Sequence, residues 1–133
     1  MGKYSEVLID NIIDALDNTN YEIRYYFNKK TKETKYFTDH DDEDILKNEK
    51  KLDRNNWISI KGMKSYQKYN LMKDFVSKQD GKLKELLVIA LDGKGAFRRF
   101  KDVLYEFPEI QKKWYEFKRE WMKQKAIDFL EDL

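Results

Sequence analysis

Tyr21-Glu22-Ile23-Arg24-Tyr25-Tyr26-Phe27-Asn28 is followed, after the polar stretch Lys29-Lys30-Thr31-Lys32-Glu33, by Thr34-Lys35-Tyr36-Phe37-Thr38. This stretch decides the fold. Tyr21, Ile23, Tyr25 and Phe27 alternate with Glu22, Arg24, Tyr26 and Asn28, the two-residue period of a strand with one buried face. The second run is rich in β-favouring residues, so residues 21 to 38 read as an antiparallel hairpin. Downstream, Trp57-Ile58-Ser59-Ile60, bounded by Asn55-Asn56 and Gly62, supplies a third short strand. Upstream, Leu8, Ile9, Ile12, Ile13 and Leu16 fall at spacings of three and four and predict a helix with Ser5 as its N-cap.

From Ser65 onward the period is helical. Tyr66, Tyr69, Met72, Phe75 and Val76 mark one helix, and Leu83, Leu86, Leu87, Ala90 and Leu91 a second. Gly93 and Gly95 interrupt, Phe97, Phe100, Leu104 and Phe107 mark a third, and the sole proline, Pro108, is placed to open the last. That helix carries Trp114, Phe117, Trp121, Ile127 and Leu130. The expectation is an α+β fold: an N-terminal helix, a small antiparallel sheet (the hairpin plus a third short strand), then a C-terminal bundle of about four helices that needs the sheet as a partner layer. With no internal repeat or Gly/Ser/Pro-rich linker, residues 1–133 are expected to form a single domain.

Composition narrows the function classes. A net charge of +2 argues against a surface wholly built to grip nucleic acid, and leaves a local basic patch open. The absence of cysteine removes disulfides, thiol nucleophiles and thiolate metal sites, and fits the cytoplasm. Asp10, Asp14 and Asp17 interrupt the apolar positions near the start, so no signal peptide is expected there, and no later run has membrane-spanning length. The preference for Lys, Asn, Ile and Tyr over Arg, Ala and Pro suggests an AT-rich bacterial or phage gene.

The run Gly93-Lys94-Gly95-Ala96-Phe97-Arg98-Arg99-Phe100-Lys101-Asp102, with Trp114-Tyr115-Glu116-Phe117-Lys118, resembles the bacterial uncharacterised protein family numbered 0158. Ile13-Asp14-Ala15-Leu16, Tyr25-Tyr26-Phe27-Asn28-Lys29 and Ala126-Ile127-Asp128-Phe129-Leu130 extend the resemblance over nearly the whole chain. The turn Lys30-Thr31-Lys32-Glu33 lacks the glycine the family often carries, and the third strand lacks its following proline. The resemblance implies a one-domain bacterial or phage protein and brings no catalytic residues with it.

The sharpest chemical constellation is the Gly93-Lys94-Gly95 turn feeding a helix that begins with Arg98, Arg99 and Lys101. Cations at a helix N-terminus are unfavourable unless an anion is near. Two readings follow. A phosphate or carboxylate is cradled by backbone amides with an arginine forked onto it, or Gly93 ends one helix and the arginines pair with carboxylates such as Asp92 or Asp102. The spacing fits neither a nucleotide-hydrolase phosphate loop nor a dinucleotide fingerprint.

In Lys112 to Lys123 aromatics alternate with cations, but Trp114, Phe117 and Trp121 fall on one buried stripe, which leaves Tyr115 and Met122 as surface candidates. Asp39, Asp41 and Glu43 begin like a calcium loop that Asp44 and Lys50 then break, so a capped, solvated turn is expected and no metal site. His40 stands alone, and no nucleophile context surrounds Ser5, Ser59, Ser65 or Ser77, so no enzyme and no cofactor are expected. The leading expectation is a non-catalytic binding domain for a phosphate-bearing ligand, a nucleotide or short nucleic acid, through Gly93, Lys94, Gly95, Arg98, Arg99 and Lys101. The alternative is a protein-interaction module or inhibitor acting through exposed Tyr26, Tyr36 and Tyr115.

Overall fold

A computed structural model describes residues 3–133. Helix α1 (Glu6–Leu16) opens the described chain, and the Ser5 side chain accepts a hydrogen bond from the Leu8 N–H at 3.1 Å. Strands β1 (Ile23–Asn28), β2 (Thr34–Thr38) and β3 (Trp57–Ile60) form a three-stranded sheet of order β2-β1-β3, with both pairings antiparallel. Tyr25 lies opposite Tyr36 on one side and Ile60 on the other. Helix α2 (Glu43–Lys50) bridges β2 to β3; α3 (Ser65–Ser77), α4 (Gly81–Ala90), α5 (Ala96–Glu106) and α6 (Pro108–Glu131) follow. The protein is therefore α+β. Pro108 opens α6, where its missing N–H costs nothing.

The chain forms two compact units, one from the residues up to Met63 together with Met122–Leu133, the other from Lys64–Trp121. In the first, Ile9, Ile12 and Ala15 of α1 pack with Phe27 and Ile60 of the sheet and with Ala126 and Leu130 of α6. The fully buried Phe27 meets Phe129 edge-on, their centroids 5.9 Å apart. In the second, Phe75 is the hub: its ring contacts Phe100, Trp114 and Phe117 at centroid distances of 6.4, 5.3 and 5.5 Å. Leu71, Leu87 and Leu104 complete that core.

The sheet is covered on its second face as well, which corrects the expectation that Tyr26 is exposed. Its ring is buried and meets Phe37 edge-on, and its hydroxyl donates to Glu49 Oε2 of α2 at 2.6 Å. Arg24 donates to the same carboxylate through Nε at 2.7 Å and Nη2 at 3.0 Å, and through Nη1 to Asp39. Glu49 is the buried residue of a mostly polar helix whose Ile45 and Leu46 are not buried, so α2 docks by a hydrogen-bonded clamp rather than an apolar stripe.

Two further expectations are corrected in the helices. Met122 is buried, because the buried stripe of α6 passes from Trp114, Phe117 and Trp121 to Met122, Ala126 and Leu130. Phe97 is 40% exposed, because α5 turns Ala96, Phe100 and Leu104 inward, at spacings of four.

Candidate functional site

The corner between α4 and α5 holds the residues that the sequence singles out. Gly93 and Gly95 have φ of +76° and +81°, the left-handed region that glycine enters without a side-chain clash. Arg99, in the second turn of α5, folds back over this corner. Its Nε donates to the Ala90 carbonyl at 3.1 Å, and its terminal nitrogens donate to the carbonyls of Asp92 and Lys94, with the Gly93 carbonyl 3.5 Å from Nη2. The Tyr69 hydroxyl donates to the Leu91 carbonyl at 2.9 Å. Five successive carbonyls, 90 to 94, thus point to donors of the protein.

In a trans peptide the N–H points opposite to the C=O. Turning the carbonyls of Asp92, Gly93 and Lys94 toward Arg99 therefore turns the amides of Gly93, Lys94 and Gly95 away from it. Among the described residues these three amides have no acceptor. Gly95 is the N-cap of α5 and supplies no side-chain cap, and its carbonyl accepts from the Arg99 N–H at 3.0 Å. The amides of Ala96, Phe97 and Arg98 are the orphan donors of the helix's first turn. Lys94, Arg98 and Lys101 are exposed beside them, and Arg99 is half-buried.

The structure thus divides the predicted site residues. Arg99 holds the corner together, pairing with backbone carbonyls where the structural reading expected carboxylates. The glycines, Lys94, Arg98 and Lys101 stay on the surface of the same corner. Of the interaction candidates, Tyr36 is 64% exposed and lies against Tyr25, and Tyr115 is 59% exposed. Tyr115 lines a shallow depression with Pro108, Gln111, Lys112, Glu116 and Arg119.

The acidic turn is spent on local structure. Asp42 caps α2 by accepting from the Ile45 N–H at 3.0 Å, Asp41 accepts from the Thr38 N–H at 2.8 Å, and Asp39 pairs with Arg24. No group of three or more metal-ligating side chains occurs among the described residues. His40 is exposed, with Nε2 2.9 Å from Glu22. The sequence reading missed Tyr69 and Glu49 as polar partners. Tyr69 sits on an apolar helical stripe and Glu49 in a charged run, so neither carried a signal.

A three-stranded antiparallel sheet between helices, followed by a helical region with a glycine corner, defines the class as a small α+β protein. The chain belongs to UPF0158, described as an uncharacterised protein family, whose model matches residues 5–133. It is 32% identical over 76 residues to the UPF0158 protein PA5073 of Pseudomonas aeruginosa, a match covering 56% of this chain and 50% of that protein. The chain thus spans about half the length of that relative. No solved structure matches it. Among the described residues no helix is long and apolar enough to cross a membrane.

Proposed function

We propose that the chain is a non-catalytic binding domain for a phosphate-bearing ligand, a nucleotide or the end of a short nucleic acid, seated on the α4–α5 corner. The observation that carries this reading is the set of carbonyls gathered by Arg99 and Tyr69, which leaves a run of amides facing outward at the positive end of a helix. Lys94, Arg98 and Lys101 add charge around that run, and Gly93 and Gly95 let an anion approach the backbone. Arg99 belongs to the scaffold of this site. A cytoplasmic setting, where nucleotides are plentiful, suits a chain without cysteine, and a domain of this kind acts by sequestering its ligand, as a phage-encoded protein would a host nucleotide.

Isothermal titration with inorganic phosphate and with nucleoside mono-, di- and triphosphates tests the reading. Binding is expected to weaken steeply with added salt, and to be lost in the double variant Lys94→Gln, Arg98→Gln while the fold persists. Absence of binding at low salt, or binding indifferent to both substitutions, overturns it.

The second reading is a protein-interaction surface on α6, favoured by the exposure of Tyr115 within the depression of Pro108, Gln111 and Lys112. Such an interface would persist at high salt.

A further inference from the structure

The end of the sheet nearest the hairpin turn gathers cations around an aromatic ring. The β1–β3 register sets Asn28 opposite Trp57, and the Lys29 N–H donates to the Asn56 carbonyl at 2.9 Å, so the hairpin turn and the loop before β3 lie side by side. The β1–β2 register brings Lys35 opposite Tyr26, on the face that Asn28 and Trp57 share by strand alternation. Lys35 Nζ lies 5.0 Å from the Trp57 ring centroid, and the Arg54 guanidinium lies 4.9 Å from that of Tyr26. Residues 29–35 hold Lys29, Lys30, Lys32 and Lys35 against one carboxylate, Glu33. The nearby Asp53 is occupied, accepting from the Asn55 N–H at 3.0 Å and the Asn56 side chain at 2.8 Å. Lys29, Lys30, Lys35 and Arg54 are exposed, and Trp57 is half-buried.

We propose that this end of the sheet binds single-stranded nucleic acid, with a base stacked on Trp57 and the flanking phosphates neutralised by Lys29, Lys30, Lys35 and Arg54. The exposed Lys35 covers the ring. A base that takes its place exchanges a weak exposed cation–π contact for stacking, and releases the ammonium to a neighbouring phosphate. A duplex keeps its bases paired and offers no free face to the ring. A polyanion without bases gains nothing from it. The surface belongs to the sheet-bearing unit and the α4–α5 corner to the other, and they share no residue, so the proposal does not depend on the reading of that corner.

Fluorescence anisotropy of a labelled oligothymidylate, titrated with the full chain at several salt concentrations, tests the proposal. Binding is expected at low salt, with the slope of log K against log salt falling by about 0.7 for each of Lys29, Lys30 and Lys35 replaced by Gln. Trp57→Leu should weaken binding roughly tenfold, and Trp57→Phe should keep most of it. Circular dichroism checks each variant; should Trp57→Leu fail to fold, the exposed lysines and Trp57→Phe still decide the matter. No anisotropy change at low salt overturns the proposal. So does equal binding of heparin that the Trp57 substitutions leave untouched, which marks a general polyanion surface. Loss of binding in Lys94→Gln, Arg98→Gln with none in the lysine variants also overturns it, and moves the nucleic acid to the α4–α5 corner.

Discussion

Arg98 and Arg99 are neighbours of one type with opposite consequences. The Arg99 guanidinium supplies donors to carbonyls that would otherwise end α4 unpaired, and its positive charge meets the negative end of that helix. Arg98 is exposed at the positive end of α5, where its charge is unfavourable. Arg99→Gln should therefore cost about 1–2 kcal/mol in urea unfolding, the worth of charge-assisted hydrogen bonds at a partly exposed site. Arg98→Gln should leave the melting temperature level or slightly raised. The two glycines separate in the same way. A Cβ on Gly93 meets open space, whereas one on Gly95 falls 2.9 Å from Arg99 Nη1, so Gly95→Ala should destabilise more than Gly93→Ala although both share the left-handed backbone cost of about 1 kcal/mol.

Helix α2 shows how an element is held when its apolar content is too small to hold it. The hydrogen bonds from Arg24 keep the Glu49 carboxyl below the usual carboxylate range, with Tyr26 adding to them and burial opposing. Burial, then the bond to Glu49, pushes the Tyr26 hydroxyl up. Glu49 has its lower value in the folded state, so its contribution is complete above the unfolded carboxylate range and vanishes as pH falls through the folded value. Tyr26 has its higher value when folded, so its contribution holds below the ordinary tyrosine range and is lost as pH rises through the folded value. Glu49→Gln should thus lower stability by about 2 kcal/mol at neutral pH, and the gap to the parent protein should narrow at an acid pH below the ordinary carboxylate range. Urea unfolding at both pH values checks it.

This clamp is not legible in the sequence, whereas much of the fold is. The strands, the helices, the Ser5 cap and the Pro108 start follow from local spacing, and local spacing is visible in a sequence. Strand alternation placed Tyr25 and Phe27 inward and so assigned Tyr26 to solvent, because nothing in Glu43 to Lys50 announces that a polar helix will cover that face. The glycine corner was legible as a constellation, but the role of Arg99 was not. Carbonyl acceptors belong to every residue, so no side-chain pattern points to them.

Two cores stabilise the molecule, and each has a ring at its centre. Phe27→Ala in the first unit and Trp114→Ala in the second should each cost about 3–5 kcal/mol, and Phe97→Ala, at an exposed position, less than about 1 kcal/mol. Thermal melts of the three variants check the order; a large loss at Phe97 would contradict the inward placement of Ala96, Phe100 and Leu104. The first core also has a temporal consequence. Ile9, Ile12, Phe27 and Ile60 pack with Ala126 and Leu130, partners that follow the whole of Lys64–Trp121 in the chain. The apolar side of the nascent sheet and α1 must therefore wait, incompletely covered, while all of Lys64–Trp121 is synthesised. The second unit, continuous in sequence, can close first. Chaperone capture or aggregation of nascent chains stalled within Lys64–Trp121 should therefore fall on the apolar side of α1 and the sheet.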